Sequence, residues 1–365
     1  MFTNEICPKL CPGCKHRELS VEESINRKTC FLQTKFNAWA AQLQPIHYLM
    51  GAASLNYRTK VCLHTAYVNK KWRFGLISKK ELIPIENCPV HGNLIKNCIQ
   101  IFSRILPPGD VFPIRFYVQS GKQIMLVVKA KAIPEPLWLS DNIKNELQLQ
   151  GVEGVWVHTN PSAGHKVFMK NGFTLLMGSA YSSDDTGMIY GPMSFTQQIP
   201  ELYLKSLRDA SEFLNPEKDS MVIDLYSGIG YSSTLWQKAG AKVIAVELNG
   251  EAVCCFKKNV PQIEILRGKC ADRIPQLNDF IKKNNTCNRL LYVNPPRTGV
   301  EKNVINWITE EYKPSKIAYL SCSPGTLVRD IGILENNNYK IQEISPFDFF
   351  PYTHHVECLA LLVRK

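Results

Sequence analysis

Alternating strand-like and helix-like segments in the second half of the chain constrain its fold more than any other feature. From about residue 191, apolar runs such as MVIDLYSG and KVIAVELN are separated by helical segments such as SSTLWQKAG and GEAVCCFKKN. Strands that alternate with helices form a parallel sheet covered by helices on both faces. We therefore predict a Rossmann-like α/β domain over residues 191–365, with two further strands as a hairpin from KIQEISPFDFF and HHVECLALLVRK.

The first half of the chain is patterned for a different domain. Short runs such as KVCLHTAYV, IRFYVQS and KQIMLVVKA predict strands, and IKNCIQIFSRIL predicts a helix among them. A further helix is predicted from Ser20 to about Leu43, because Ser20 and Glu23 have the spacing of a capping box. We expect four segments: a cysteine-bearing loop (1–18), a helix that packs on the α/β domain (19–44), a β-rich domain (45–190) and the α/β domain (191–365).

The balance of charge favours a polyanionic partner. The net charge is +11, and the basic residues of YVNKKWRFG lie among aromatic ones that can stack on bases, although a solvated edge strand would have the same pattern. No apolar run approaches the roughly 20 residues that span a bilayer, and the N-terminus lacks the pattern of a secretory signal. We therefore expect a cytoplasmic protein that binds a polyanion, with nucleic acid as the first candidate, and that binds no membrane. In that setting the 13 cysteines do not predict a disulfide framework.

Two strand ends predict a cofactor site. The strand in VIDLYSGIG ends in a turn with Gly228 and Gly230, which let a ligand approach the backbone. Glu247 ends the next strand, where its carboxylate can accept hydrogen bonds from both ribose hydroxyls. Because the Asp-x-x-x-Gly-x-Gly spacing differs from that of dinucleotide-binding turns, it favours S-adenosylmethionine over a nucleotide phosphate.

Cys322, in KIAYLSCSPG, ends another apolar strand just before a turn. A thiolate that adds to C6 of uracil makes C5 nucleophilic towards a methyl sulfonium, and a base must then remove the C5 proton. The alternative for Cys322 is a buried structural thiol, which its polar, turn-forming neighbours disfavour. Candidates for the base are Asp348, His354, His355 and Glu357. Glu357 begins the final strand between apolar neighbours, where the loss of water raises the pKa of a carboxyl group.

DLYSGIG, VNPPRTG, YLSCSPGTLVRD and FPYTHHVE, in this order and spacing, resemble the RNA uracil-C5 methyltransferase family over nearly the whole chain. The resemblance implies S-adenosylmethionine-dependent methylation of uracil C5, with Cys322 as the nucleophile and Glu357 as the base. It also implies a set of cofactor contacts: Gln197, Tyr226, Glu247 and Asn294. The chain departs from the family pattern at Lys269, where an acidic residue often contacts the adenine and Asp272 is only a weak substitute.

Cysteines in CPKLCPGC and IENCPVHG predict a metal site formed by Cys7, Cys11, Cys14 and Cys88. Four thiolates suit a zinc ion or a [4Fe–4S] cluster, and three close cysteines with one distant partner favour the cluster. The large-subunit rRNA branch of the family, of RlmC type, has a similar set of cysteines and also has Asn at the position of Asn294. The resemblance therefore favours a 23S rRNA enzyme, and we expect a monomer. A tRNA uracil-C5 methyltransferase and a non-catalytic iron–sulfur RNA-binding protein are the alternatives.

Overall fold

The structure is a computed structural model that describes residues 7–135, 138–164 and 166–365. The first six residues of the predicted cysteine-bearing loop therefore lie outside the described residues. The chain divides into two compact units. The first contains the residues up to Ser20 together with Met50–Gln198, and the second contains Val21–Leu49 together with Ile199–Lys365.

The helices of the described residues are α1 (Val21–Lys35), α2 (Asn93–Ile105), α3 (Asp141–Leu149), α4 (Pro200–Leu214), α5 (Tyr231–Lys238), α6 (Gly250–Asn259), α7 (Ile274–Lys283), α8 (Lys302–Trp307) and α9 (Pro324–Glu335). The strands are β1 (Lys60–Val68), β2 (Lys71–Ser78), β3 (Glu81–Pro84), β4 (Ile114–Ser120), β5 (Gln123–Val128), β6 (Gly154–Thr159), β7 (Phe173–Gly178), β8 (Ser182–Ser183), β9 (Ile189–Tyr190), β10 (Ser220–Leu225), β11 (Lys242–Glu247), β12 (Glu264–Arg267), β13 (Asn288–Val293), β14 (Lys316–Ser321), β15 (Tyr339–Phe347) and β16 (Glu357–Arg364). Across these ranges, no helix is both long enough and apolar enough to cross a membrane.

The first unit is built on a sheet with strand order β3-β2-β1-β4-β5-β6-β7. Neighbouring strands are antiparallel except β5 and β6, which are parallel and are joined through α3, as a parallel pair requires a crossover connection. The core contains Ile99 and Phe102 of α2 together with Phe74 and Tyr117 of the sheet, all of them fully buried. The predicted β-rich domain is therefore confirmed.

The second unit contains a sheet with strand order β12-β11-β10-β13-β14-β16-β15. The five strands from β12 to β14 are parallel, and β16 and β15 add to them in antiparallel orientation. Every residue of β10 is buried, as expected for the central strand of a sheet covered on both faces. The predicted Rossmann-like fold and its closing hairpin are confirmed.

The helix predicted from Ser20 to about Leu43 is shorter, because α1 ends at Lys35. The chain leaves the helical path at Phe36, whose side chain is fully buried in the core of the second unit. It then continues beside β15, where Leu43 and His47 form isolated parallel bridges to Ile344 and Phe347. A short 3₁₀ turn (Asn37–Trp39) and then backbone pairing with the edge strand β15 thus replace the last two turns of the predicted helix.

Candidate active site

Five of the predicted site residues lie at one edge of the second sheet. In a parallel sheet the carboxyl ends of the strands lie at a common edge, and the first residue of an antiparallel neighbour lies there as well. Glu247 is the last residue of β11, Tyr226 directly follows β10, and Asn294 directly follows β13. Cys322 follows β14 and Glu357 begins β16. The order of the strands therefore separates the residues predicted for the cofactor from those predicted for the chemistry.

Cys322 and Glu357 belong to adjacent antiparallel strands. Ser321 pairs with Cys358 in the β14–β16 register, so the next position along places Cys322 opposite Glu357. The thiol is partly exposed, whereas Glu357 is only 3% exposed. Burial raises the pKa of the Cys322 thiol, the Glu357 carboxylate raises this pKa further, and the positive charge of Arg297 lowers it. The thiol thus lies between an acid that opposes its ionisation and a cation that favours it.

The other candidate bases have different surroundings. Asp348 is buried, and its Oδ1 accepts a hydrogen bond of 2.7 Å from the Lys28 ammonium. His354 is exposed, and its ring centroid lies 4.1 Å from that of His355. Of the four candidates, Glu357 is the one that the strand register places beside the thiol.

Glu247 and the glycine turn after β10 form a cradle. The Gly228 N–H donates to Oε2 of Glu247 at 3.0 Å, and the Asn249 N–H donates to Oε1 at 2.6 Å. Each carboxylate oxygen keeps a further lone pair for a ligand. Gly228 has a φ of 58°, and no atom lies within 4 Å of the place a Cβ would occupy. Gly230 has a φ of 100° and is packed more tightly, since a Cβ there would lie 2.8 Å from Val260. The open space beside Gly228 and the oriented carboxylate fit a ligand with ribose hydroxyls.

Tyr226 has a left-handed backbone conformation, with a φ of 60°. Such a conformation is strained for a residue other than glycine and is found mostly where the surrounding structure imposes it. The Tyr226 hydroxyl donates to the Glu301 carboxylate, and burial is the main cause of a raised pKa for this phenol. Our sequence interpretation missed Glu301, because its partner is 75 residues away in the chain.

Asp330 fastens the loop after β13, which carries Asn294 and Arg297. Its carboxylate is fully buried. Oδ2 accepts hydrogen bonds from the Val300 N–H at 3.2 Å and from the Tyr319 hydroxyl at 2.7 Å, while Oδ1 accepts one from Arg329 Nε at 2.7 Å. Asp330 thus joins α9, β14 and this loop. The motif YLSCSPGTLVRD ends at Asp330, but the sequence assigned it no role, because the Val300 and Tyr319 partners come from other segments of the chain.

The remaining residues are one predicted cofactor contact, Gln197, and two residues considered for the adenine position, Lys269 and Asp272. Gln197 belongs to the first unit, where it is 7% exposed, and the other three predicted cofactor contacts belong to the second. Lys269 is exposed after β12, and Asp272 is exposed in the short 3₁₀ turn Ala271–Arg273. The structure therefore assigns the adenine contact to neither Lys269 nor Asp272.

The four predicted cysteine ligands line one small cavity of about 40 Å³ in the first unit. Burial raises the pKa of Cys14 to about 12, and the neighbouring thiols, Cys88 foremost, raise it as well. A tetrahedral zinc ion, with Zn–S bonds of about 2.3 Å, draws its sulfurs to within roughly 3.8 Å of one another. In the described part of the chain, no three His, Cys, Asp or Glu side chains are close enough to hold one metal ion. The donor chemistry thus fits a thiolate-bound metal centre, whereas the spacing of the side chains is not that of a preformed single-ion site.

Comparison with known proteins identifies the family. The family model described as tRNA (Uracil-5-)-methyltransferase matches residues 110–365. The chain belongs to this family. An uncharacterized RNA methyltransferase of Caldanaerobacter subterraneus subsp. tengcongensis is 28% identical over 97% of this chain and 82% of the relative. A second, from Protochlamydia amoebophila, is 28% identical over 98% of this chain and 83% of the relative.

A solved structure supports the fold of this uracil-5-methyltransferase family member. The tRNA (uracil-54, C5)-methyltransferase of Pyrococcus abyssi, in complex with S-adenosyl-L-homocysteine, matches with a TM-score of 0.72 and 21% sequence identity. The match covers 97% of this chain and 86% of that one. The predicted resemblance is confirmed, and the chain is a member of the S-adenosylmethionine-dependent RNA uracil-C5 methyltransferases.

Proposed function

We propose that this protein methylates C5 of a uridine in 23S rRNA, with Cys322 as the nucleophile and Glu357 as the base. The observation that carries the proposal is the β14–β16 register, in which Cys322 and Glu357 take adjacent positions at one edge of the sheet. Glu247 and Tyr226 lie at the same edge on neighbouring strands. A pyrimidine ring at this edge would have a thiol and a carboxylate within reach.

The chemistry follows from these two groups. The Cys322 thiolate adds to C6 of uracil, and the new C–S bond converts the ring into an enolate whose C5 is nucleophilic. S-adenosylmethionine supplies the methyl group that C5 takes, and it leaves as S-adenosylhomocysteine. Glu357 then accepts the C5 proton, the C5–C6 double bond forms again, and the sulfur of Cys322 leaves as a thiolate. One methyl group has replaced one proton, which Glu357 passes to solvent.

Charge and burial support these roles. The positive charge of Arg297 favours the Cys322 thiolate. Lys28 binds the Asp348 carboxylate, whereas the strand register places Glu357 beside Cys322, which favours Glu357 as the proton acceptor. For the cofactor we propose Glu247 as the ribose ligand, with Gln197, Tyr226 and Asn294 as further contacts. Because the two catalytic groups must reach C5 and C6, the uridine is flipped out of its RNA.

The choice of rRNA rests on the cysteine set and on Asn294. We propose that Cys7, Cys11, Cys14 and Cys88, which line one cavity, hold a [4Fe–4S] cluster with a structural role, since methyl transfer needs no redox step. Small adjustments of the side chains would have to accompany cluster binding, as is common when a metal site forms together with the local fold. A tRNA substrate is the second candidate, because the description of the matching family model names tRNA. We propose a cytoplasmic monomer in either case.

Incubation with methyl-labelled S-adenosylmethionine and separate pools of 23S rRNA and tRNA tests the substrate. Both pools should come from cells that lack the gene, so that the target uridine is unmodified. We expect 5-methyluridine in 23S rRNA with the wild-type protein and none with Cys322→Ala. Label in tRNA alone would replace the rRNA proposal by the tRNA one, and no label in either RNA would favour the non-catalytic alternative.

Anaerobic purification tests the cluster. We expect four irons and four sulfides per chain, with the broad visible absorption of an iron–sulfur centre. Cys88→Ser should lose most of the iron, whereas Cys254→Ser, an exposed cysteine outside the cavity, should keep it. Stoichiometric zinc without iron, or iron unaffected by Cys88→Ser, would contradict the assignment.

A further inference from the structure

Lys28 is a buried cation that the proposed chemistry does not use. Within the described residues it is the one lysine in the buried class, at 1% exposed. It lies on the buried face of α1 together with Ser24, Ile25 and Leu32, at the spacing of a core position. A lysine ammonium is expensive to remove from water unless its partners are well placed. The groups that bind the ammonium therefore indicate the role of Lys28.

Two of these partners belong to the segment between β15 and β16. The Lys28 Nζ donates to Asp348 Oδ1 at 2.7 Å and to the Phe350 carbonyl at 3.3 Å. Asp348 Oδ1 also accepts from the Phe350 N–H at 3.2 Å, so the same oxygen closes the turn that follows β15. Lys28 thus binds both the carboxylate and the carbonyl group of one tight turn.

Hydrogen bonds continue from this turn towards Glu357. The Phe350 carbonyl also accepts from the Thr353 hydroxyl at 2.8 Å, and the hydroxyl oxygen of Thr353 accepts from the His355 N–H at 3.1 Å. His355 is followed by Val356, which is buried, and by Glu357. Consecutive hydrogen bonds therefore connect Lys28, through the segment from Asp348 to His355, to the residues just before the proposed base.

The segment after α1 holds the other side of the same turn. The His47 N–H donates to the Pro346 carbonyl at 2.9 Å, and the Asp348 N–H donates to the His47 carbonyl at 2.8 Å. The ring centroids of His47 and Phe347 are 4.8 Å apart. Residues 21–49 thus hold Asp348 by its side chain and by its backbone.

We propose that Lys28 is a positioning residue for catalysis: by binding Asp348 and the Phe350 carbonyl, it fixes the loop that aims Glu357 at C5 of the substrate. This inference rests on the proposed role of Glu357. Loss of the contacts between Lys28 and this turn should slow the last step, the removal of the C5 proton, more than the earlier steps. Tyr226 and Glu247 lie by β10 and β11, which β13, β14 and β16 separate from β15 in the sheet, so cofactor affinity should not change.

Lys28→Met tests the proposal, because it keeps much of the aliphatic volume and removes the ammonium. A displacement of about 1 Å at a reacting group can lower a rate about 100-fold, and we expect a fall in kcat of about 10-fold to 100-fold with unchanged affinity for S-adenosylmethionine. Because release from Cys322 becomes slow, denaturing gels should show a covalent protein–RNA adduct, already methylated, with an ordinary uridine substrate. Lys35→Met, an exposed position on the same helix, is the matched control and should behave as wild type.

A second variant covers the case in which Lys28→Met does not fold. Lys28→Met with Asp348→Asn removes both charges of the Lys28–Asp348 ion pair, and the introduced amide would retain an oxygen for the Phe350 N–H, so the turn should persist without this link to α1. We expect this double variant to show the same slow release and the same adduct. Wild-type kcat and no adduct in a folded Lys28 variant would overturn the inference. Absence of methylation by the wild-type protein would instead reject the proposed function itself.

Discussion

Replacement of Glu357 by glutamine should lower the pKa of the Cys322 thiol. Residues opposite each other on antiparallel strands have Cβ atoms about 5 Å apart. Two unit charges at about 5 Å interact by about 0.8 kcal/mol at a dielectric constant of about 80 and by about 3.3 kcal/mol at about 20. Since 1.36 kcal/mol corresponds to one pKa unit, we expect the pKa of Cys322 to fall by between about 0.6 and about 2.4.

The assay is the pH dependence of alkylation by iodoacetamide, because the thiolate is the reactive form. Below its pKa, a fall of about one unit makes Cys322 react about 10 times faster at a fixed pH. Other exposed cysteines, such as Cys30 and Cys254, also react, so the modification should be followed by mass spectrometry of the Cys322 peptide. Arg297→Gln should shift the profile in the opposite direction, because the positive charge of Arg297 lowers this pKa.

Glu264→Gln is the matched control, since Glu264 is an exposed acid on β12, at the far edge of the sheet. It should leave the profile unchanged. If the pKa of Cys322 stayed constant or rose in Glu357→Gln, the carboxylate would not be the thiol's neighbour. The pairing of nucleophile and base would then be wrong.

Two further predictions concern buried carboxylates. Burial raises the pKa of Asp224 to about 6. Between about pH 4 and pH 6, this carboxyl group is therefore protonated in the folded protein and ionised in the unfolded chain. Stability should therefore fall as the pH rises through this window, by up to about 3 kcal/mol, and Asp224→Asn should flatten the dependence measured by urea unfolding. Asp330→Ala leaves the Val300 N–H and the Tyr319 hydroxyl without their buried acceptor, which should lower the free energy of unfolding by about 2–5 kcal/mol. The exposed Asp272→Ala should change it by less than about 0.5 kcal/mol. An equal pH dependence in wild type and Asp224→Asn, or equal urea midpoints for Asp330→Ala and Asp272→Ala, would refute these two predictions.

The elements that carry the site could be predicted because their signals are local. An apolar run that ends in a Gly or Pro turn indicates a strand and the place where it stops. On that basis the sequence predicted the strands before Tyr226 and Cys322, and the structure has β10 and β14 there. The parallel order of these strands then follows from the intervening helices.

The interactions that hold the site in place could not be predicted, because their partners are far apart in the chain. Lys28 and Asp348 are separated by 320 residues, and Tyr226 and Glu301 by 75. One local signal for Lys28 did exist, since a lysine three residues after Ile25 and four before Leu32 occupies an apolar face. The end of α1 at Lys35 was equally hidden, because it depends on the burial of Phe36 in a core built mostly from residues after 199.

The most direct test of the central claim is trapping with an RNA that carries 5-fluorouridine in place of the target uridine. Glu357 cannot remove fluorine from C5 as it removes a proton, so the bond between Cys322 and C6 should persist after methyl transfer. We predict an adduct that withstands denaturation, requires S-adenosylmethionine for its methylated form, and maps to the Cys322 peptide by mass spectrometry. An adduct on another residue, or methylation of uridine RNA by Cys322→Ala, would contradict the account.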